Sequence, residues 1–314
     1  MKIDIIIPVY KPGKELDELL IRLLKQTKPI HRIIIMNTEQ QYWDNEKQAS
    51  LFENSKTELL VYHLTKAEFD HGKTRHEGFV KSDADICVCM TQDAIPRDKR
   101  LIEHLVQSML TDDDIAVAYA RQLPATNCGV IERCTREFNY PKESRIKAQS
   151  DLENLGIKTY FCSNVCAAYR RDIYLKLGGF TQKTIFNEDM IYAANAVKAG
   201  YKIAYAAEAE VIHSHNYTAM EQLHRNFDLA VSQADHPEVF AGISSEGEGF
   251  SMVKTTAVRL IKKGKWYLLP DLVIKSGFKY MGYLLGRNYG HLPGSLIMKL
   301  TMNKEYWNHG GEHV

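Results

Sequence analysis

Apolar runs alternate with helical apolar spacing along the first hundred residues of the chain. Four runs are predicted strands: Ile3 to Val9, Ile33 to Met36, Leu59 to Leu64 and Ile86 to Met90. Of these, Ile33 to Met36 is typical of a buried strand and Ile86 to Met90 of a strand buried on both faces of a sheet. From Leu16 to Leu24, leucines recur every three or four residues, which predicts an amphipathic helix. Strands that alternate with helices predict right-handed parallel βαβ units, and therefore an α/β fold.

The same patterns continue to about residue 212. Further strands are predicted at Ile115 to Tyr119, Phe161 to Tyr169, Ile203 to Tyr205 and Glu210 to Ile212. Further helices are predicted at Trp43 to Asn54, Arg75 to Lys81, Pro96 to Leu110, Asp172 to Leu177 and Met190 to Ala199. The stretch from Arg121 to Tyr160 has no regular pattern, and a long irregular stretch in a compact fold is often a substrate loop.

Polar residues follow three of the predicted strands at their carboxyl ends. They are Tyr10, Asn37 to Glu39, and Thr91 to Asp93. In open α/β sheets this edge is where ligands bind, so Asp93 is a candidate ligand-binding carboxylate. The alternative is that Asp93 only caps the following helix, because aspartate is a favoured N-cap residue.

Composition and charge exclude several classes of protein. The formal net charge of +1 argues against a nucleic-acid binder, and the absence of G-x-G-x-x-G after the first strand weakens a dinucleotide-binding interpretation. The chain begins without a signal-peptide pattern and has no run of about 18 uncharged apolar residues, so we expect a cytoplasmic protein with reduced thiols and no membrane span. Cys162 and Cys166 have no second pair at zinc-site spacing, so buried structural cysteines are expected.

The tail of the chain differs in charge from the rest. Residues 251–304 contain ten Lys or Arg and a single acid, Asp271, interleaved with aromatic and aliphatic residues such as Trp266, Phe278, Tyr280 and Tyr283. This composition is typical of a helical surface that lies on an anionic membrane. The alternative is that the apolar positions pack on the catalytic domain or on a second subunit, which would make a homodimer.

Several motifs, in this order and spacing, resemble inverting glycosyltransferases of family 2 with the GT-A fold. The motifs are Ile-Ile-Ile-Pro-Val-Tyr at residues 5–10, Thr91-Gln92-Asp93, Gly178-Gly179-Phe180, Asn187-Glu188-Asp189 and His213-Ser214-His215. More narrowly, residues 69–75 (Phe-Asp-His-Gly-Lys-Thr-Arg) and 213–218 (His-Ser-His-Asn-Tyr-Thr) resemble bacterial rhamnosyltransferases of surface polysaccharide synthesis. The resemblance implies a mixed, mostly parallel central sheet in a catalytic domain at residues 1–218, followed by a helical, membrane-associating extension at 219–314.

The resemblance also implies where a cation and the donor diphosphate bind. In the family, an acid at this strand end holds Mg²⁺ or Mn²⁺ through an Asp-x-Asp pattern, which makes Asp93 the metal ligand, although Thr91 replaces the first acid here. His213 or His215 would complete the metal site, since imidazole suits Mn²⁺. The implied donor-binding residues lie in four short segments: Pro8, Tyr10, Thr38, Glu39, Lys73, Arg75, Thr91, Gln92 and Asp93.

The acid pair carries the implied general base. Inversion is a single displacement in which a base takes the proton of the acceptor hydroxyl. By resemblance the base is Asp189, with Glu188 as the second choice. The residue-level alternative is that both acids only complement the helix dipole.

The implied activity is transfer of L-rhamnose from dTDP-rhamnose to a lipid-linked glycan, on the inner face of the bacterial cell membrane. Three alternatives remain open. They are a UDP-sugar or other nucleotide-sugar donor, a metal-dependent hydrolase that uses Asp93, His213 and His215, and an inactive glycan-binding scaffold at the membrane.

Overall fold

A computed structural model describes residues 1–242 and 246–308 of the chain, which form two compact units. The first unit comprises residues 1–123, 140–183 and 188–213. The second comprises residues 124–139 and 184–187 and the described residues from Ser214 onward. The predicted domain division after residue 218 stays a prediction.

Nine strands of the described chain form one sheet in the first unit. They are β1 (Ile3–Tyr10), β2 (Arg32–Thr38), β3 (Glu58–Leu64), β4 (Ile86–Met90), β5 (Ile95–Pro96), β6 (Ile115–Leu123), β7 (Arg145–Lys147), β8 (Cys166–Arg170) and β9 (Lys202–Ile212). The strand order is β3-β2-β1-β4-β8-β6-β9-β5, with β7 added against β9. The pairs β3–β2, β2–β1, β1–β4 and β6–β9 are parallel, while β8 runs antiparallel to β4 and β6. The sheet is mixed, and the parallel pairs hold most of the paired residues, as the sequence predicts.

The helices of the first unit connect these strands. They are α1 (Lys14–Leu23), α2 (Asn45–Ser50), α3 (His71–Lys81), α4 (Leu101–Met109), α6 (Leu152–Leu155), α7 (Arg171–Lys176) and α8 (Glu188–Lys198), with α5 (Val130–Asn139) in the second unit. Strand residues such as Ile5, Ile7 and Ile33 are fully buried against the apolar face of α1, which includes Leu16 and Leu20. The buried apolar runs therefore form the core that the pattern predicts.

Helix α3 begins at His71, four residues earlier than predicted, because Asp70 caps it. The Asp70 carboxylate accepts hydrogen bonds from the backbone N–H groups of Gly72 and Lys73 at 2.8 and 2.9 Å. Gly72 is required at this point, since a Cβ atom there would lie 2.0 Å from the carbonyl oxygen of Thr181. Lys73 thus lies on the helix together with Arg75.

The predicted irregular stretch and the predicted β8 strand also differ from the structure. Strand β6 runs on to Leu123, and residues 130–139 form α5, whose Glu132 and Arg136 pair at helical spacing. Strand β8 begins only at Cys166. Residues 163–165 lie outside β8. The Asn164 N–H donates to the Asp189 carboxylate, and the Ser163 carbonyl accepts from the Cys166 N–H in a turn.

The second unit is helical. Besides α5 it contains α9 (Ala219–Asp235), α10 (Pro237–Phe240), α11 (Glu246–Lys262), α12 (Leu269–Arg287), α13 (Gly294–Leu300) and α14 (Lys304–Asn308). Its core contains Leu223, Phe227 and Val231 of α9, and Phe278 packs against that core, although the sequence pattern assigned it to a membrane surface. Among the helices described, none is both long and apolar enough to span a bilayer.

Two glycines let α12 approach α9 closely. A Cβ atom at Gly282 would lie 2.1 Å from the carbonyl oxygen of Leu223, and one at Gly286 would lie 2.3 Å from that of Phe227. Real Cβ atoms do not approach backbone oxygens so closely, so any larger residue at either position forces the two helices apart.

We expect Gly282→Ala to lower the free energy of unfolding by about 1–3 kcal/mol, the usual cost of overpacking. Gly277→Ala on the same helix is the matched control, since a Cβ atom there meets nothing within 4 Å. That control should be neutral or stabilising by about 0.5–1 kcal/mol, because alanine favours the helix. Urea unfolding followed by circular dichroism measures both, and equal midpoints for the two variants would contradict the close contact.

Candidate active site

The carboxyl ends of β1 and β4 are joined by one side chain. The Gln92 amide accepts a hydrogen bond from the Tyr10 N–H at 2.9 Å and donates one to the Tyr10 carbonyl at 3.1 Å. The Tyr10 ring is exposed and meets Tyr42 edge-on at 5.8 Å between ring centroids. The structure therefore brings together Tyr10 and Gln92, two of the predicted donor-binding residues, with Pro8 half-buried on the same strand.

The end of β2 lies beside them. Thr38 pairs in register with Tyr10, and its hydroxyl oxygen is buried without a hydrogen-bond partner in the described chain, as is that of Thr91. Glu39 follows with a φ of 67°, and its carboxylate accepts a hydrogen bond from the Lys66 N–H at 2.7 Å. Glu39 therefore links the residue after β2 to the segment that follows β3.

Asp93 is not a helix cap. Helix α4 begins at Leu101, and its N-cap position is Arg100. Instead, an Asp93 carboxylate oxygen lies 3.5 Å from the Nε2 atom of His213, which follows the last residue of β9. The Asp93 side chain is 31% exposed, so this carboxylate is reachable from solvent. Of the two alternatives that the sequence left open, the capping role is wrong.

Gln122 determines which nitrogen of the His213 ring carries the proton. The Gln122 amide donates to the Ser163 hydroxyl at 2.9 Å, so its oxygen faces the His213 Nδ1 atom at 3.2 Å and accepts the Nδ1 proton. Neutral His213 then carries its lone pair on Nε2, pointing toward Asp93. Two electron-pair donors that face each other, with 3.5 Å between them, suit a shared divalent cation, since adjacent ligands of a small octahedral ion lie about 3 Å apart.

His215 lies two residues beyond His213, among the first residues of the second unit. Of the three predicted metal ligands, Asp93 and His213 lie within the first unit.

A buried ion pair joins α3 to α8. The Arg75 guanidinium lies 3.1 Å from the Glu188 carboxylate and also donates to the His71 carbonyl at 2.9 Å. Arg75 and Glu188 are 5% and 6% exposed. Arg75 therefore faces an acid inside the protein, whereas the sequence analysis assigned it to the donor diphosphate. Lys73, two residues earlier on α3, is exposed, with its amine 4.0 Å from Glu77.

Asn164 holds both members of the acid pair. Its backbone N–H donates to the Asp189 carboxylate at 2.8 Å, and its side-chain amide donates to Glu188 at 3.1 Å. The Tyr169 hydroxyl donates to the Asn164 oxygen at 2.7 Å, which fixes the orientation of that amide. The two acids are therefore held in defined positions at the start of α8.

The two acids have opposite pKa shifts. Burial alone would raise the pKa of Glu188, but the Arg75 guanidinium, with help from His71 and Asn164, brings this pKa below its usual value. Burial and the adjacent Glu188 charge raise the pKa of Asp189 well above its usual value. Asp189 is only half-buried and Glu188 is fully buried, so Asp189 is the stronger and the more accessible base of the pair.

Residues 163–165 connect the acid pair to the Asp93–His213 pair. Ser163 contacts Gln122, which orients His213, while Asn164 binds Glu188 and Asp189. The Val165 carbonyl accepts from the Thr91 N–H at the end of β4. The sequence analysis missed Gln122 and Asn164. The signal that would have found Asn164 is the polar pair Ser163-Asn164, which interrupts the otherwise apolar run from Phe161 to Tyr169.

The cysteines take no part in this arrangement. Cys162 and Cys166 are buried free thiols, and burial raises the pKa of Cys162 to about 12. A thiol with so high a pKa is neither a good metal ligand nor a good nucleophile at neutral pH.

Relatives of known type match this chain along almost its whole length. The O-antigen chain rhamnosyltransferase RfbN of Salmonella typhimurium is 38% identical over 312 residues, which is 98% of this chain and 96% of the relative. The O-antigen chain rhamnosyltransferase WbaN of Salmonella anatum is 38% identical over 309 residues, 97% of this chain and 95% of the relative.

Solved structures share the fold at low sequence identity. The mannosyltransferase PcManGT from Pyrobaculum calidifontis, solved with GDP-Man and Mn²⁺, has a TM-score of 0.61 and 13% identity over 92% of this chain and 86% of its own. Residues 4–178 match the glycosyl transferase family 2 domain. The chain belongs to glycosyl transferase family 2, and it is a glycosyltransferase with the GT-A fold.

Proposed function

We propose that this enzyme transfers L-rhamnose from dTDP-rhamnose to a lipid-linked glycan during synthesis of a surface polysaccharide. The observation that carries the proposal is 38% identity, over nearly the whole chain, to two O-antigen chain rhamnosyltransferases. The site is consistent with it, because glycosyl transfer needs a base for the acceptor and positive charge for the departing diphosphate.

Asp189 acts as the general base. The acceptor hydroxyl oxygen attacks the anomeric carbon as its proton passes to the Asp189 carboxylate, and the bond from that carbon to the nucleoside diphosphate breaks. The pair of electrons leaves with the diphosphate, so the configuration inverts. The raised pKa of Asp189 suits the task, since a general base works best when its pKa is near the operating pH.

Asp93, His213 and His215 would hold Mg²⁺ or Mn²⁺, which supplies positive charge for the leaving diphosphate. One carboxylate with two imidazoles favours Mn²⁺ over Mg²⁺, since imidazole is a better ligand for the softer ion. The Asp93–His213 separation and the tautomer set by Gln122 support this ligand set.

The donor lies along the ends of β1, β2 and β4 in this proposal. The residues expected to bind it are Pro8, Tyr10, Thr38, Glu39, Lys73, Thr91 and Gln92. Lys73 is the exposed cation among them, so it is the better candidate for a phosphate contact than the buried Arg75.

The second unit would dock on the anionic inner leaflet of the bacterial cell membrane, where lipid-linked acceptors reside. Eight of its exposed apolar side chains lie at the end of α11, between α11 and α12, and on one face of α12: Ile261, Trp266, Tyr267, Val273, Ile274, Tyr280, Met281 and Leu284. Lys262 and Lys263 are exposed among them. A second copy of the chain is a poorer occupant than anionic lipid, because two such basic faces repel each other.

The donor and the metal can be tested together by thermal unfolding. A ligand present at a hundredfold excess over its Kd stabilises the folded state by about 2.7 kcal/mol. We expect dTDP-rhamnose to raise the Tm more than UDP-sugars do, and Mn²⁺ to increase that rise. Asp93→Asn should abolish the Mn²⁺ increment and lower turnover roughly 10²-fold, as loss of a leaving-group charge contact does.

Asp113→Asn is the control, because Asp113 is fully exposed in the turn before β6. It should behave as the parent protein does. A larger rise in Tm with a UDP-sugar than with dTDP-rhamnose would identify the UDP-sugar as the donor. Full activity of Asp93→Asn in EDTA would exclude the metal role.

Asp189→Asn should bind the donor normally and lose glycosyl transfer, since only the proton acceptor is removed. Calorimetry with dTDP measures binding, and transfer to a lipid-linked acceptor measures turnover. If Asp189→Asn transfers sugar at the parent rate while Glu188→Gln does not, Glu188 is the base. Release of free sugar at the parent rate with no acceptor present would indicate a hydrolase instead.

Replacing Lys262, Lys263 and Lys265 with Glu should reduce flotation with anionic liposomes. Each cation near such a surface contributes about 1 kcal/mol. The same change at Lys25, Lys56 and Lys142, three exposed lysines of the first unit, is the control and should have a smaller effect. Transfer to a soluble acceptor should be the same in both variants. Failure of the parent protein to float with anionic liposomes at low salt would exclude membrane docking.

A further inference from the structure

The buried Arg75–Glu188 pair has no evident structural purpose. Both side chains are almost fully buried, and the described chain offers no hydrogen-bond partner to the Arg75 Nε atom. Burying two charges costs free energy that their attraction recovers only in excellent geometry, and apolar residues of the same size are often equally stable. The position of the pair beside the acid start of α8 points to a role in the reaction.

The charges around Asp189 come from several elements. Glu188 precedes it in the chain and carries the charge that most strongly raises the pKa of Asp189, after burial itself. Arg75 acts in the opposite direction. The other titratable groups that face this acid pair are His71 on α3, Cys162 before β8, Tyr169 on β8 and Cys89 on β4. The thiols and the tyrosine are uncharged at neutral pH because burial raises each pKa.

We infer that Arg75 is a positioning residue that keeps Glu188 ionised and fixed beside Asp189, so that Glu188 makes Asp189 a stronger base. Without a cation, Glu188 would take up a proton in its buried site, and its charge would be lost. With Arg75 in place, the proton from the acceptor hydroxyl goes to Asp189, the only acid of the two whose pKa is raised. This inference rests on the proposed function in one respect, namely that Asp189 is the base.

The geometry also argues against a direct contact between Arg75 and the donor diphosphate. Its Nη1 atom is already engaged by the Glu188 carboxylate at 3.1 Å and by the His71 carbonyl at 2.9 Å. A guanidinium that binds a donor diphosphate needs to present its fork to solvent. Arg75 is 5% exposed and presents its charge to an internal acid instead.

The test compares the pH profiles of kcat for the parent, Glu188→Gln and Arg75→Gln/Glu188→Gln. A base must be deprotonated to act, so activity rises with pH through the pKa of Asp189. Glu188→Gln removes the negative charge and leaves Arg75 beside Asp189. The acid limb of the profile, which is the part where kcat rises with pH, should therefore move to lower pH by about one unit. The double variant removes that cation too, so its limb should move back toward the parent's. Arg75→Lys keeps the charge and should retain the parental limb.

Two further measurements separate this role from others. Affinity for dTDP should stay within about twofold of the parent in all variants, since no donor contact is removed. Circular dichroism melting identifies any variant that fails to fold. In that case, the comparison is made between Arg75→Lys and the parent protein. Identical acid limbs in the parent, Glu188→Gln and the double variant would overturn the inference and leave the pair a purely structural feature.

A dTDP affinity that falls tenfold or more in Arg75→Lys, with an unchanged acid limb, would also overturn the inference. Arg75 would then be a residue that binds the donor diphosphate. Failure of the proposed function is distinguishable, because it appears as an active Asp189→Asn. An inactive Asp189→Asn together with unmoved acid limbs refutes only the inference about Arg75.

Discussion

The candidate active site depends on residues 163–165, which lie just before β8 and hydrogen-bond to several of its side chains. Ser163 fixes Gln122 and through it the His213 tautomer, while Asn164 fixes Glu188 and Asp189. A polar segment buried in an apolar sheet must satisfy each donor and acceptor it carries. That requirement ties the Asp93–His213 pair and the acid pair to one segment of the chain.

The start of this segment is itself held by a buried lysine. Lys147 donates hydrogen bonds to the carbonyl oxygens of Lys158 and Phe161, and its amine lies 4.9 Å from the centre of the Tyr119 ring. Burial lowers the pKa of Lys147 to about 7, so near neutral pH this amine can donate with or without its charge. The chain that enters the active-site segment is therefore fixed at both ends, by Lys147 and by the β8 ladder.

Two carboxylates adjacent in sequence acquire different chemistry from their surroundings. Glu188 points inward to Arg75 and is held ionised, and Asp189 lies nearer to solvent with a raised pKa. The difference arises because Arg75, with His71 and Asn164, stabilises the Glu188 charge, while burial and that same charge raise the pKa of Asp189. Pairs of acids whose pKa values are driven apart are a general way to assign proton transfer to one group.

Sequence alone predicted most strands of the sheet, although not the short β5 and β7, because buried strands and amphipathic helices have distinct apolar periods, and it identified the edge where Tyr10, Thr38 and Asp93 lie. It could not determine the partners of Arg75 or the roles of Gln122 and Asn164. Those contacts join residues such as Asn164 and Asp189, 25 positions apart, or Gln122 and His213, 91 apart. Local patterns also placed α3 and β8 wrongly at their starts, since the Asp70 cap and the bonds of residues 163–165 decide those boundaries. Only the tertiary structure decides such contacts, because which charge faces which acid depends on how distant segments pack.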